Sequence, residues 1–283
     1  MNLCLIVFIY CETLISFSNL SGIQIKNSLI TLLTDFGSNS IQIARCKAWF
    51  SQYCPQQSVI DIAHDVHQND INEAAYIFNL VQDQFDHGSI HVIAIDFDAR
   101  HKHDEVLYFL YKGQHIITYN SGIASLLLGG DISGVQCIGN FTGQHYDAIT
   151  DQFGQAVLSV LNNEISDKPH LLHDKANIKT PLNPVTSEKL LQGHVVYFDS
   201  RETCYTNISK ELFDEFVQND RFDIVLSRHE RISKISNDLK LLEGGGTYCY
   251  FNKAGYLTIS VYRGSAKRMY GLKRNHSLMI EKQ

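Results

Sequence analysis

Three apolar runs, each carrying an acid near its C-terminal end and separated by helical spacing, constrain the fold of this chain most. Leu29 to Leu33 leads into Thr34-Asp35-Phe36-Gly37, Ser58 to Ile62 carries Asp61, and Ser89 to Ile95 stops at Asp96. Between the first two runs, Ile41, Ala44, Cys46, Ala48 and Trp49 recur at helical intervals until Pro55 stops the pattern. Asp70 can cap a second helix from Ile71 to Gln84, with Ala74, Ala75, Ile77, Phe78 and Val81 on one broad face. Strand–helix–strand–helix–strand of this length predicts a layered α/β domain with a mostly parallel sheet. Parallel strands bring their C-terminal ends to one edge, so Asp35, Asp61 and Asp96 are expected to cluster where such folds bind ligands.

The pattern then changes. Val106 to Tyr111 and His115 to Tyr119 read as a hairpin about Lys112-Gly113-Gln114, followed by helices over Ile123–Leu128 and Gln152–Leu161. From Asn162 to Thr186 the chain turns polar and holds three of its four prolines, which marks a linker. Beyond it, strands are expected over Gly193–Phe198, Phe222–Leu226, Thr247–Asn252 and Tyr256–Val261, with Gly244-Gly245-Gly246 and Lys253-Ala254-Gly255 as turns. The predicted organisation is an N-terminal extension (1–28), an α/β domain (29–165), a linker (166–188) and a smaller antiparallel β domain (189–283).

Composition narrows the function. Twenty-four basic against 30 acidic residues give a net charge of −6, so the chain has no general attraction for nucleic acid or an anionic membrane. Leu3 to Cys11 is apolar but too short to span a bilayer. With Glu12 after it and no basic residue before Lys26, it reads as an extra segment rather than a secretion signal. The seven cysteines are odd in number and scattered, with no C-x-x-C pair, which fits free thiols in a reducing, cytoplasmic compartment. His101 and His103 stand beside Asp104 and Glu105, but no third ligand at a recognisable spacing supports them, so a polar loop is expected and no metal.

Read in order, further pieces join Thr34-Asp35-Phe36-Gly37. They are Val59-Ile60-Asp61-Ile62-Ala63-His64, Glu73-Ala74-Ala75-Tyr76, Gly88-Ser89-Ile90-His91-Val92 with Asp96, Val195 to Asp199, Thr206-Asn207-Ile208, Gly255-Tyr256-Leu257, Gly264-Ser265-Ala266 and Gly271-Leu272. In this order and spacing the sequence resembles the S-adenosyl-L-methionine (SAM) hydroxide adenosyltransferase family, relatives of the fluorinating and chlorinating enzymes, from about residue 29 to 281. The resemblance implies cleavage of SAM at C5′ of its ribose, with water or halide displacing methionine, no separate cofactor, and a homotrimer whose pocket lies between neighbouring subunits.

Position by position, the resemblance implies that Asp35 holds the ribose and that Asp96 orients or deprotonates water. Ser40 stands where the family has an acid facing methionine, and Asn69 stands at the base-side position. The family's arginine falls on His103, with Arg100 and Lys102 close by, and its histidine falls on Ala148, with His145 three residues away. Its P-D-N-G turn is Tyr119-Asn120-Ser121-Gly122, and its F-G-N, which helps hold adenine, is Arg201-Glu202-Thr203. Asp61 and His64 match the family and are read as structural. The inserted loop of the halogenating relatives is absent, which speaks for water as nucleophile. Three functions remain open: a SAM hydrolase, a nucleoside-binding protein that has lost chemistry, and an enzyme for another adenosyl compound read by Arg201 and Glu202.

Overall fold

The computed structural model describes residues 28–96, 105–140, 148–166, 168–171, 173–227, 230–236 and 246–283. Residues 1–27 of the N-terminal extension, Arg100, His101, Lys102, His103, Asp104 and His145 lie outside these residues, as do Gly244 and Gly245.

The first half runs β1 (Ile30–Thr34), α1 (Ile41–Tyr53), β2 (Val59–Ala63), α2 (Ile71–Val81), β3 (Ile90–Ala94), β4 (Glu105–Tyr111), β5 (Gln114–Tyr119), α3 (Ile123–Leu127), β6 (Gln136–Asn140) and α4 (Ala148–Leu161). These strands form one sheet in the order β2-β1-β3-β5-β4-β6. The first four are parallel, while β4 pairs antiparallel with β5 and β6. The sheet is buried on both faces. Ile30 and Leu32 of β1, with Ile90, Val92 and Ala94 of β3, meet Trp49 and Phe50 of α1 and Phe153, Val157 and Val160 of α4. The alternate positions Leu33, Ile93 and Ile95 face Ala74, Ile77 and Phe78 of α2 and Leu127 of α3. Continuous apolar strands with period-2 division between two helical layers follow from burial on both sides. Gly154 lets α4 approach α1, since a Cβ there would lie 2.5 Å from the Trp49 ring.

The second half adds β7 (Val185–Thr186), β8 (Leu190–Phe198), β9 (Cys204–Ser209), α5 (Lys210–Val217), β10 (Phe222–Val225), β11 (Arg231–Ile232), β12 (Thr247–Phe251), β13 (Tyr256–Val261), α6 (Ala266–Tyr270) and β14 (Ser277–Lys282). Its strands form an antiparallel sheet in the order β11-β10-β14-β8-β9-β13-β12, with β7 on β8. Leu191, Val195, Ile208, Phe213, Phe216, Ile259 and Ile280 fill one core. The mixed α/β architecture expected from the sequence, a mostly parallel N-terminal sheet and an antiparallel C-terminal one, is therefore the architecture observed.

Several elements differ from the sequence reading. The last helix of the first half begins at Ala148 rather than Gln152, because Ile149 and Phe153 share its buried face. Helix α5 sits in a stretch otherwise made of strands. Ser209 caps it by accepting from Leu212 N–H, and Phe213, Phe216 and Val217 form its buried stripe. Strand β14 alternates buried Leu278 and Ile280 with more exposed neighbours. The connection between the sheets is laid across the N-terminal domain: Asn120 Oδ1 accepts from Asn177 N–H (2.9 Å), and Ser125 Oγ accepts from Lys179 N–H (2.8 Å). The five described cysteines are free, and all but Cys137 are buried. Among the described residues no helix is long and apolar enough to cross a membrane.

Candidate functional site

The order β2-β1-β3 places a topological switch point between β1 and β3, because α1 leaves on one face of the sheet and α2 returns on the other. Asp35 and Asp96 stand at the C-terminal ends of those two strands. Asp35 Oδ2 accepts two backbone hydrogen bonds, from Asn69 N–H (2.9 Å) and from Asp96 N–H (3.2 Å). Its Oδ1 makes no hydrogen bond within the described residues. Both donors have left-handed backbone, Asn69 at φ 63° and Asp96 at φ 60°, a region that Asn and Asp tolerate better than most residues. The carboxylate is thus oriented by the main chain, with one oxygen left for a ligand.

The loop after β1 is pinned to the loop after β2. Gly37 N–H donates to His64 O (2.8 Å), and Ser38 donates to Asp65 through its N–H (2.7 Å) and its hydroxyl. These bonds from Ser38 hold the Asp65 carboxyl below its usual range. Asp61 and His64 serve the scaffold: His64 Nδ1 pairs with Thr34 Oγ1 (2.9 Å), and its Nε2 lies 3.2 Å from Asp61, which also binds Lys47 (2.5 Å). Burial raises the Asp61 carboxyl, but its bonds to Lys47 and His64 outweigh that and hold it low. Ser40 caps α1, its Oγ accepting from Gln42 N–H (3.2 Å).

The turn at 119–122 is buried. Asn120 donates to Glu105 Oε2 (3.1 Å) and to Lys175 O (2.8 Å) and accepts from Asn177, so its amide is occupied by the chain itself. Ser121 Oγ is buried with no partner among the described residues. Gly122 at φ 110° lets the chain turn into α3. Glu105 is the first residue of β4 and holds Asn120, and no cluster of three or more His, Cys, Asp or Glu among the described residues could hold a metal.

Thr203 lies elsewhere. It lines a concavity of about 1240 Å³ on the C-terminal sheet, with Asp199, Arg201, Tyr205, Tyr248, Tyr250 and the turn from Val261 to Ser265. Asp199 Oδ1 accepts from the N–H groups of Arg201 (3.0 Å) and Thr203 (2.8 Å), which shapes the Arg201-Glu202-Thr203 loop. Glu202 pairs with Arg268 (2.6 Å) across the rim. Burial and the neighbouring Asp199 push the Tyr205 phenol well up, so it is a neutral hydrogen-bonding group. Tyr248 and Tyr250 alternate on one face of β12 with stacked rings 5.6 Å apart. Sequence reasoning missed this pair, although period-2 aromatics on a strand are its legible signal. Of eight non-glycine residues with left-handed φ among those described, four lie at these two places: Asn69, Asp96, Glu202 and Arg263. At Glu202 and Arg263, which lack the short polar side chain that eases this conformation, the backbone is strained.

The described residues that line this concavity all belong to the C-terminal domain. The fold and the site define a two-domain α/β-plus-β protein with carboxylates at the switch point of the first sheet and an aromatic, arginine-bearing concavity on the second. Residues 30–153 match the SAM hydroxide adenosyltransferase N-terminal domain and residues 193–279 match the C-terminal domain. The chain belongs to the SAM hydroxide adenosyltransferase family. An uncharacterized conserved protein from Thermotoga maritima shares its fold, with TM-score 0.75, 19% identity, and coverage of 89% of this chain and 99% of the other. A conserved hypothetical protein from Thermus thermophilus superposes with TM-score 0.67 and 18% identity, covering 90% of this chain and 100% of the other. No curated protein sequence matches the chain.

Proposed function

We propose that the protein is a SAM hydrolase that forms adenosine and L-methionine. The observation that carries this reading is the Asp35 carboxylate, held by two main-chain N–H groups at the switch point with Oδ1 open to ribose hydroxyls. The chemistry asks little of the protein, because the sulfonium leaves as a neutral thioether and needs no general acid. Water attacks C5′, the C5′–S bond breaks with its electron pair going to sulfur, and the water proton passes to Asp96, with His103 or Arg100 polarising the site. Asn69 would stand beside the base, Ser40 toward methionine, and Ser121 Oγ, buried without a partner, would accept a ligand contact while Asn120 braces the turn.

Thr203 and the tyrosines of the C-terminal concavity would complete the pocket from a neighbouring subunit of a homotrimer. The described residues that line this concavity in one chain come from the C-terminal domain, which leaves its open side for a neighbour to face. A second reading is a cytoplasmic adenosine-binding protein without chemistry, or an enzyme for another adenosyl compound. It is favoured by the Arg201-Glu202-Thr203 loop, with Glu202 committed to Arg268, and by Ala148 at the family's histidine position.

The test is product analysis. Incubation with SAM should release adenosine and methionine in equal amounts, faster than a boiled-protein control and with no 5′-halo product at high chloride. Asp96→Asn should slow release about a hundredfold or more with little change in binding. Release no faster than the control, from a protein that still binds adenosine, leaves the binding reading in place.

A further inference from the structure

Among the described residues, Arg274 of the C-terminal domain reaches back to acids beside the switch point. Arg274 lies in the turn between α6 and β14, a turn fastened to β8 by Asn275 N–H on Val195 O (2.8 Å) and Val195 N–H on His276 O (2.9 Å). Its Nη2 contacts Asp70 Oδ2 and stands 3.2 Å from Glu73 Oε2, and Glu73 is only 2% exposed. These two acids anchor the turn that carries Asn69. Glu73 Oε2 accepts from His67 N–H (3.0 Å) and faces His67 Nδ1 (3.1 Å), which fixes the start of the turn. Asp70 fixes its end, donating N–H to His67 O (2.9 Å) and capping α2 by accepting from Glu73 N–H (2.9 Å). Between them Asn69 holds a left-handed φ of 63° and offers Asp35 one of its two amides. The Asn69 side chain makes no hydrogen bond within the described residues, so its flanking residues set where that amide points.

We propose that Arg274 is a positioning residue. By bridging Asp70 and Glu73 it holds the 67–70 turn so that the Asn69 amide fixes the Asp35 carboxylate, and through Asp35 it sets the preference for a ribose. The ribose half of this statement rests on the reading of Asp35 given under the proposed function. Both contacts are made by Nη2. A guanidinium suits this half-buried place because it stays charged and is weakly hydrated, whereas a lysine ammonium is a strongly hydrated point of charge that gives up its proton more readily on burial. A contact that only fastened the two domains together would act on any ligand alike. One that orients Asp35 acts on ribose hydroxyls in particular.

The experiment uses the full chain, as wild type, Arg274→Met and Arg274→Lys. It measures amide hydrogen exchange at Asn69 and calorimetric affinities for adenosine and 2′,3′-dideoxyadenosine. Both variants should exchange the Asn69 amide at least about tenfold faster, while amides of β1 and β3 keep their protection. The preference for adenosine over the dideoxy compound should fall by about tenfold, in line with a weakened charge-assisted hydrogen bond. Unchanged Asn69 exchange in both variants, or an unchanged preference beside equal losses for the two nucleosides, overturns the proposal. A wild type that does not distinguish the two nucleosides, with Asn69 exchange still responding to Arg274, supports the pin on Asp35 and overturns the ribose reading instead.

Discussion

The two halves of the candidate site are built by different means. At the switch point the key carboxylate is held by main-chain amides of Asn69 and Asp96, which are themselves placed by strand ends and a capped helix. On the C-terminal concavity the surface is made by side chains, Arg201, Tyr205, Tyr248 and Tyr250 among them. Main-chain placement follows from topology and survives wide sequence change, whereas a side-chain surface can be rewritten without disturbing the sheet beneath it. Asp35 accordingly rests on the ends of two strands and a capped turn, while Arg201, Glu202 and Thr203 sit on the loop that leads into β9.

The largest effect is expected in the core that carries the switch point. Phe153, 2% exposed, packs beside Trp49, the only tryptophan of the chain, so Trp49 fluorescence reports the N-terminal domain. Phe153→Ala should cost that domain about 3–5 kcal/mol in urea unfolding. A loss of similar size in the C-terminal domain would mean that the two do not unfold separately.

Acid should act next most strongly, and on the same domain. His91 is wholly buried in β3, paired with Thr31 Oγ1 (2.7 Å), and burial lowers its pKa from 6.5 to about 4. The unfolded chain then binds the proton more readily than the folded one between those values. Stability present above pH 6.5 is therefore lost as pH falls toward 4, by up to about 3 kcal/mol. The urea midpoint read by Trp49 should fall across this window, and His91→Gln should flatten the slope.

Asp35→Asn should weaken adenosine binding by about 1.5–3 kcal/mol, because an amide cannot accept as the carboxylate does. An unchanged titration would reduce Asp35 to the end of a strand. The smallest effect belongs to the concavity. Ser265 caps α6 by accepting from Arg268 N–H (2.9 Å), and Ser265→Ala should cost about 1 kcal/mol of C-terminal-domain stability while leaving the Trp49 transition in place.

Much of the N-terminal half was legible in the sequence because its signals are local. An apolar run ending in an acid, or Asp70 ahead of an amphipathic stretch, fixes an element within a dozen residues. Strand β6 was not legible, since Gln136 to Asn140 has neither an apolar run nor clear alternation and is held by pairing with β4. Helix α5 was hidden because eight residues give only two turns of periodicity. The partnership of Arg274 with Asp70 and Glu73 joins positions some two hundred residues apart, and no local pattern encodes it. The aptitude of Ser40 for capping was visible in its residue type, yet the match to the family drew attention to its place beside methionine instead.

In the proposed reaction water displaces methionine at C5′ of SAM. Reaction in ¹⁸O-labelled water tests it most directly, with mass spectrometry of the products against a boiled-protein control. The account predicts one ¹⁸O in the 5′-hydroxyl of each adenosine released, and none in the methionine formed with it. Adenosine without the label, or none above the control, would contradict it.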